Sequence, residues 1–313
     1  MLTFKEFQQE QWGRLGNQLF QIAALVGLGE QYNHQVILPS WKYSEYFNLL
    51  GIELDLAIID KPTEMVLEYP WQSGYNSFKG KSLSLFNQNE IIDVRGHLQD
   101  SRYFEYCLSK ILNDILSFKP EFVMKVKCLF PDLSEMCSIH VRRGDYLNYF
   151  NAFPLLPKIY YKEAVKFITE QTGCSHFSVF SDDIAWCEKQ FRDIPGYFYY
   201  SKERSDIEDL WGMSQCKYHI ISNSTFAWWG GFLGQSKLVI VPPFWLQHTL
   251  SYVLDEYVYS GLLSLSNMVF LNEAAGKIKF FSFLENRTKR WELILSRKIH
   301  QGINKLSKKL NRT

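Results

Sequence analysis

Apolar residues recur at helical spacing through Leu19, Phe20, Ile22, Ala23, Val26 and Leu28, directly after a turn bearing Gly13 and Gly16. The pattern predicts a short strand over residues 2–7, a turn that opens a helix, and a strand at 36–38 closed by Pro39. Residues 40–90 show scattered turn signals and no clean period. A strand is predicted at 91–96, and a helix at 102–116 with Tyr103, Tyr106, Cys107, Ile111 and Leu112 on one face. From Cys137 the alternation sharpens. Strands are predicted at 137–141, 177–180, 197–200, 218–221 and 238–241, with helices at 158–171, 184–191, 205–214 and 225–233. Alternating strands and helices imply βαβ units around parallel sheets.

With 313 residues, 46% of them hydrophobic and 21% charged, the chain can build a real core as one large or two ordinary domains. The 9 Trp, 18 Tyr and 24 Phe suit stacking on sugars and bases, although most such rings serve as core. Six cysteines without a C-x-x-C pair read as reduced thiols of a cytosolic protein. Residues 1–11 carry Lys5, Glu6 and Glu10 and do not resemble a signal or anchor, so a cytoplasmic location is expected. The net charge of +1 conceals an asymmetry: residues 277–313 hold eleven Lys/Arg against two Glu, a charge of +9, which leaves −8 for the remainder. In that tail Trp291, Leu295, Ile299, Ile303, Leu306 and Leu310 share one helical face, with Arg290, Arg297, Lys305, Lys308 and Lys309 largely off it. Such a helix fits either peripheral contact with an anionic inner leaflet or packing on the acidic body. The expected division is 1–130, 131–276 and the tail 277–313.

Four constellations carry chemistry, each at a predicted strand end. Gly13-Arg14-Leu15-Gly16-Asn17-Gln18 opens a helix, where glycines allow close backbone approach and free N–H groups attract an anion; alone, it serves equally as an ordinary turn. His140-Val141-Arg142-Arg143-Gly144-Asp145-Tyr146 places two guanidinium forks after a strand, suited to a diphosphate or to a surface salt-bridge loop in which Asp145 neutralises Arg143. Adjacent residues point to opposite sides, so one arginine enters a cleft and the other pairs elsewhere. Phe180-Ser181-Asp182-Asp183 offers carboxylates for a metal, for the N–H edge of guanine, or as a helix cap. Ser222-Asn223-Ser224-Thr225 precedes a helix containing Trp228 and Trp229, which read as core, and Gly230-Gly231, which predict close packing on the sheet.

Together these segments closely resemble the bacterial α1,2-fucosyltransferases of glycosyltransferase family 11, over Gly13 to about Trp245. The segments 96–104, 157–161, 180–187 and 209–216 share in the resemblance. Position 14 is Arg where many bacterial members carry Gly. The resemblance implies a GT-B-like α/β fold with two Rossmann-like domains facing a central cleft; the basic C-terminal helix read from the tail's own pattern follows them. It further implies an inverting transfer of fucose from GDP-β-L-fucose to O2 of a galactose-containing glycan, without a metal or other cofactor; the basic tail suits a lipid-linked acceptor, and no nucleic-acid partner is expected. A different GDP-sugar or linkage, or a non-catalytic relative, are the alternatives. On this resemblance Arg142 contacts the β-phosphate and Asn17 the leaving oxygen or fucose, as the catalytic pair. His140 and Asp183 contact guanosine, Ser224 and Thr225 the phosphates, and Gly13, Gly16, Gln18, Arg143, Asp145 and Ser222 complete the donor site. Asp145 and Asp100 are candidate bases, Asp100 serving equally as a helix cap.

Overall fold

The structure, a computed structural model, describes residues 1–245 apart from 62, 69–77, 80–82, 88, 150–151, 201–202 and 235; beyond 245 it describes 268–271, 278 and 282. The predicted tail helix therefore lies outside the described residues.

The chain forms β1 (Leu2–Thr3), α1 (Leu15–Tyr32), β2 (Ile37–Leu38), β3 (Glu53–Leu54), β4 (Glu64–Glu68), β5 (Phe78–Lys79) and β6 (Ile92–Arg95). A four-stranded sheet runs β1-β6-β4-β5, with β5 antiparallel; β2 and β3 pair separately and touch β1 through a Leu2–Val36 bridge. The predicted first strand is cut to two residues because the chain turns after Phe4, whose ring is buried. The helix predicted at 102–116 is broken. Tight turns at Ser101–Tyr103 and Glu105–Cys107 precede α2 (Leu108–Lys110) and a wide turn Ile111–Ile115, before α3 (Pro120–Val126).

The second half follows its sequence pattern closely: β7 (Cys137–Val141), α4 (Lys158–Thr172), β8 (His176–Ser181), α5 (Ile184–Gln190), β9 (Tyr197–Tyr200), α6 (Asp206–Ser214), β10 (Tyr218–Ile220), α7 (Thr225–Phe232), β11 (Leu238–Val241) and β12 (Met268–Phe270). Its six strands are all parallel, in the order β12-β11-β10-β7-β8-β9. This is the Rossmann order, and its topological switch lies between β7 and β10. The first sheet, with its antiparallel edge, lacks that order, so the Rossmann-like expectation holds for the second half alone.

β7 is buried along its whole length, as a central parallel strand must be. Its apolar residues Cys137, Ile139 and Val141 share a core with residues of α4 and α5. Its polar residues Ser138 and His140 reach neighbours across the switch: Ser138 Oγ lies 2.7 Å from His219 Nδ1, and His140 Nδ1 lies 2.8 Å from Ser222 Oγ. A second core unites α1 and the first sheet with α6, α7 and Phe180, Val239 and Val241 of the second sheet. α1 has 14 buried residues among its 18, which suits a helix enclosed on nearly every side. Trp228 and Trp229 are core, as expected, and both rings meet Phe20 of α1. Gly230 admits α6 rather than the sheet: a Cβ there would lie 2.7 Å from Met213 Cε, whereas Gly231 meets the sheet at ordinary distances.

Candidate active site

The candidate site forms where α1 and α7 begin. A Cβ on Gly16 would stand 2.3 Å from the Phe226 backbone nitrogen, so only glycine lets the two helix starts meet. Gly13, at φ +97°, ends the preceding turn in a conformation that L side chains rarely adopt. Neither Arg14 nor Ser224, the residues preceding α1 and α7, caps its helix with a side chain. Asn17 joins the two helices: its Oδ1 accepts from Thr225 Oγ1 at 2.6 Å and from Gln99 Nε2 at 3.0 Å. The amide nitrogen lies against Gly13, where an added Cβ would stand 1.7 Å from Nδ2.

β7 delivers the arginines, and its register against β8 pairs them. Val141 aligns with Ser181, so the residues that follow meet in order. Arg142 Nη1 lies 2.9 Å from Asp182 Oδ2, and Arg143 Nε lies 3.2 Å from Asp183 Oδ2. Asp182 also accepts from the Arg143 backbone N–H at 2.8 Å. Arg142 Nη2 donates to Asp145 Oδ1 at 2.6 Å, and Arg14, from the α1 turn, approaches the other Asp145 oxygen at 3.5 Å. Asp145 thus neutralises Arg142 and Arg14, while Arg143 pairs with Asp183. The Arg143 side chain, only 5% exposed, lies over the Trp186 ring and supports the loop from behind. Arg142 pairs with Asp145 and Asp182, and Asp145 in turn reaches Arg14 beside the α1 start.

Several expected donor residues are committed elsewhere. Gln18 is buried, donating to Gly13 O at 3.4 Å and accepting from Trp41 Nε1 at 2.9 Å, so it braces the turn. Ser222 is held under the loop by His140. Burial, and then the Arg142 charge, push the His140 imidazole down to about 3, so it is neutral at ordinary pH. Asp183 caps α5 by accepting from the Trp186 N–H at 3.1 Å. Asp100 accepts from the Arg102 backbone and holds its guanidinium through both carboxylate oxygens, so its cap role is the one observed. Among the described residues no cluster of three or more His, Cys, Asp or Glu has the form of a metal site.

Asp182, Arg14 and Gln99 were not among the expected site residues. Asp182 was readable once β7 and β8 were taken as neighbours, because Arg-Arg and Asp-Asp follow their strands at the same level. Beside the site, at the end of β8, an open pocket of about 400 Å³ is lined by Ser181, Ile184, Glu188, Arg204 and Asp209 among others.

The family profile described as glycosyl transferase family 11 matches residues 4–250. The chain belongs to that family. It is therefore a glycosyltransferase of the fucosyltransferase type, as its motifs implied. It is 26% identical to the O-antigen biosynthesis glycosyltransferase WbnK of Escherichia coli, over 74% of this chain and 92% of that protein. It is 29% identical to an alpha-1,2-colitosyltransferase of Escherichia coli, over 75% of this chain and 90% of that protein. To the galactoside 2-alpha-L-fucosyltransferase SEC1 of Bos taurus it is 22% identical, covering 75% and 66% of the two chains. Among solved structures, NodZ alpha-1,6-fucosyltransferase soaked with GDP-fucose aligns at 12% identity and a TM-score of 0.48, over 77% of this chain and 92% of that one.

Proposed function

We propose that this family 11 enzyme transfers L-fucose from GDP-β-L-fucose, with inversion, to O2 of a galactose-containing glycan. The observation that carries the reading is the meeting of two helix N-termini without side-chain caps beside Arg142. Two positive dipole ends beside a guanidinium attract an anion in addition to the carboxylates already paired with Arg142, and a diphosphate supplies it. The diphosphate lies against the α7 start, with Ser224 and Thr225, and Arg142 holds the β-phosphate. The guanosine extends past Asp183 into the pocket at the end of β8, where Glu188 and Asp209 provide carboxylates for the N–H edge of guanine. As the bond from fucose C1 to the β-phosphate oxygen breaks, negative charge grows on that oxygen. Arg142, the α7 N–H groups and the Asn17 amide are its fixed stabilisers. This positive charge belongs to the chain itself, which supports a reaction without a metal; undiminished turnover in EDTA is the expected outcome.

The reading also retains a GT-B arrangement, with 1–130 on the acceptor side and 131–276 on the donor side. The tail 277–313 contacts anionic membrane from the cytoplasmic side, near lipid-linked acceptors, a role its +9 charge supports. No helix among the described residues is long and apolar enough to cross a membrane. Full-length protein should sediment with anionic vesicles, and replacing Lys305, Lys308 and Lys309 by Glu should reduce that binding.

GDP release from GDP-fucose, with and without a galactoside, tests the activity. Arg142→Ala should fold normally and lose about a hundredfold in turnover. Near wild-type kcat in that variant would refute the assignment. The colitosyltransferase relative favours one competing donor, since colitose is fucose without its 3-hydroxyl. Paired donors with product linkage analysis distinguish the two.

A further inference from the structure

We infer that Arg14 is a second diphosphate ligand, contributed from the α1 turn to close the anion site opposite Arg142. The inference rests on the donor reading above. One carboxylate, Asp145, bridges two guanidinium groups: Arg142 at 2.6 Å and Arg14 at 3.5 Å. The two arginines come from the two halves of the chain, Arg14 from the turn before α1 and Arg142 from the loop after β7. A shared carboxylate between two such cations marks a place where an oxyanion of either source satisfies both. The two carboxylates around Arg142 differ in how firmly they are held. Asp182 is fixed by a backbone N–H and lies against Gly144, where an added Cβ would meet its Oδ2 at 2.6 Å. Asp145 is tied through the side chains of Arg142 and Arg14 and is one-third exposed. Asp145 is therefore the group an arriving phosphate displaces, and Asp182 stays behind to hold Arg142 in place.

Arg14 has the freedom this role needs. Its side chain is 75% exposed, so it can move from the carboxylate to the phosphate without disturbing the core. Its backbone precedes the first turn of α1, next to Gly16 and Asn17, which already touch the α7 start. The guanidinium thus reaches the diphosphate from the α1 turn, while Arg142 reaches it from the end of β7. A nucleoside monophosphate, with one phosphate seated against α7, would engage it far less. Arg14 is consequently a residue that distinguishes diphosphate from monophosphate.

Calorimetric titration of the full-length protein with GDP and with GMP tests this. In Arg14→Ala the GDP dissociation constant should rise about tenfold while that of GMP stays within about twofold, and Arg14→Lys should fall between. Asp145→Asn, which removes the competing charge, should tighten GDP binding. Equal GDP affinity in wild type and Arg14→Ala would overturn the inference, as would an equal loss for GDP and GMP. Wild-type protein that binds neither nucleotide would instead count against the donor itself, which separates the two failures.

Discussion

α5 and α7 follow β8 and β10, the strands on either side of β7, yet their starts are built in opposite ways. Asp183 caps α5 with its own carboxylate, and Ser205 caps α6 in a full capping box with Glu208. α7 has no such side chain and meets the equally bare start of α1. Under α5 the sheet face is apolar, with Cys187 and Phe191 in that core. On the α7 side lie His140, whose ring is 5.6 Å from that of Phe226, and His219, against which Gly231 rests. A satisfied helix start is scaffold, whereas an unsatisfied one kept beside fixed cations is a place reserved for a ligand.

The sharpest way to break this contrast is Gly16→Ala. Its Cβ would collide with the Phe226 backbone and part α1 from α7. Turnover should drop by roughly a hundredfold, with a stability loss of about 1–3 kcal/mol, read by kinetics and urea denaturation. Acid is the next test. Burial holds both His140 and His219 down to about 3, so the unfolded chain binds their protons first. Stability should be at its plateau above about pH 6.5 and fall steadily as pH drops toward 3, by very roughly 1–2 kcal/mol per histidine at pH 5. Urea midpoints at pH 7 and 5 measure it, and replacing His219 by Gln should flatten the slope. A smaller effect is expected for Thr225→Val, which releases Asn17: about tenfold in kcat with a stability change under about 1 kcal/mol. Least affected should be Ser205→Ala, losing about 1 kcal/mol of stability and no turnover. If Ser205→Ala impaired catalysis as Thr225→Val does, the distinction between scaffold starts and ligand starts would collapse.

The second half was legible because β7, β8, β9 and β10 are each followed by a helix long enough to show a period. Cys137–Val141 and Leu238–Val241 lie at the limits their apolar runs predict. The first half was not. β1, β2, β3 and β5 are two residues each, too short for a period-two signal, and long-range groups hold the connections. Glu68, for example, accepts from the Leu98 N–H and the Tyr103 hydroxyl, which tie the turn after β6 to β4. Burial raises that carboxyl above its usual range, a feature no local pattern announces. β12 escaped because its strand signal lies far along the chain from β11. At the site, Arg142 and Asn17 stood out by residue type and place. Gln18 looked equivalent to Asn17, but the indole that claims it, Trp41, lies 23 residues away. Arg14 could not be read, since its partner Asp145 lies in the other half of the chain, in the turn after β7.

The core shared by both sheets bears on how the molecule comes apart. Phe20 packs on Trp228 and Trp229, so the junction of the two halves is interior hydrocarbon and not a wetted hinge. Separating the halves would expose that aromatic wall to water, at a cost comparable with losing the fold itself. Melting should then be a single cooperative transition, and a cut at the chain crossing between the sheets should yield fragments that recombine rather than stand alone.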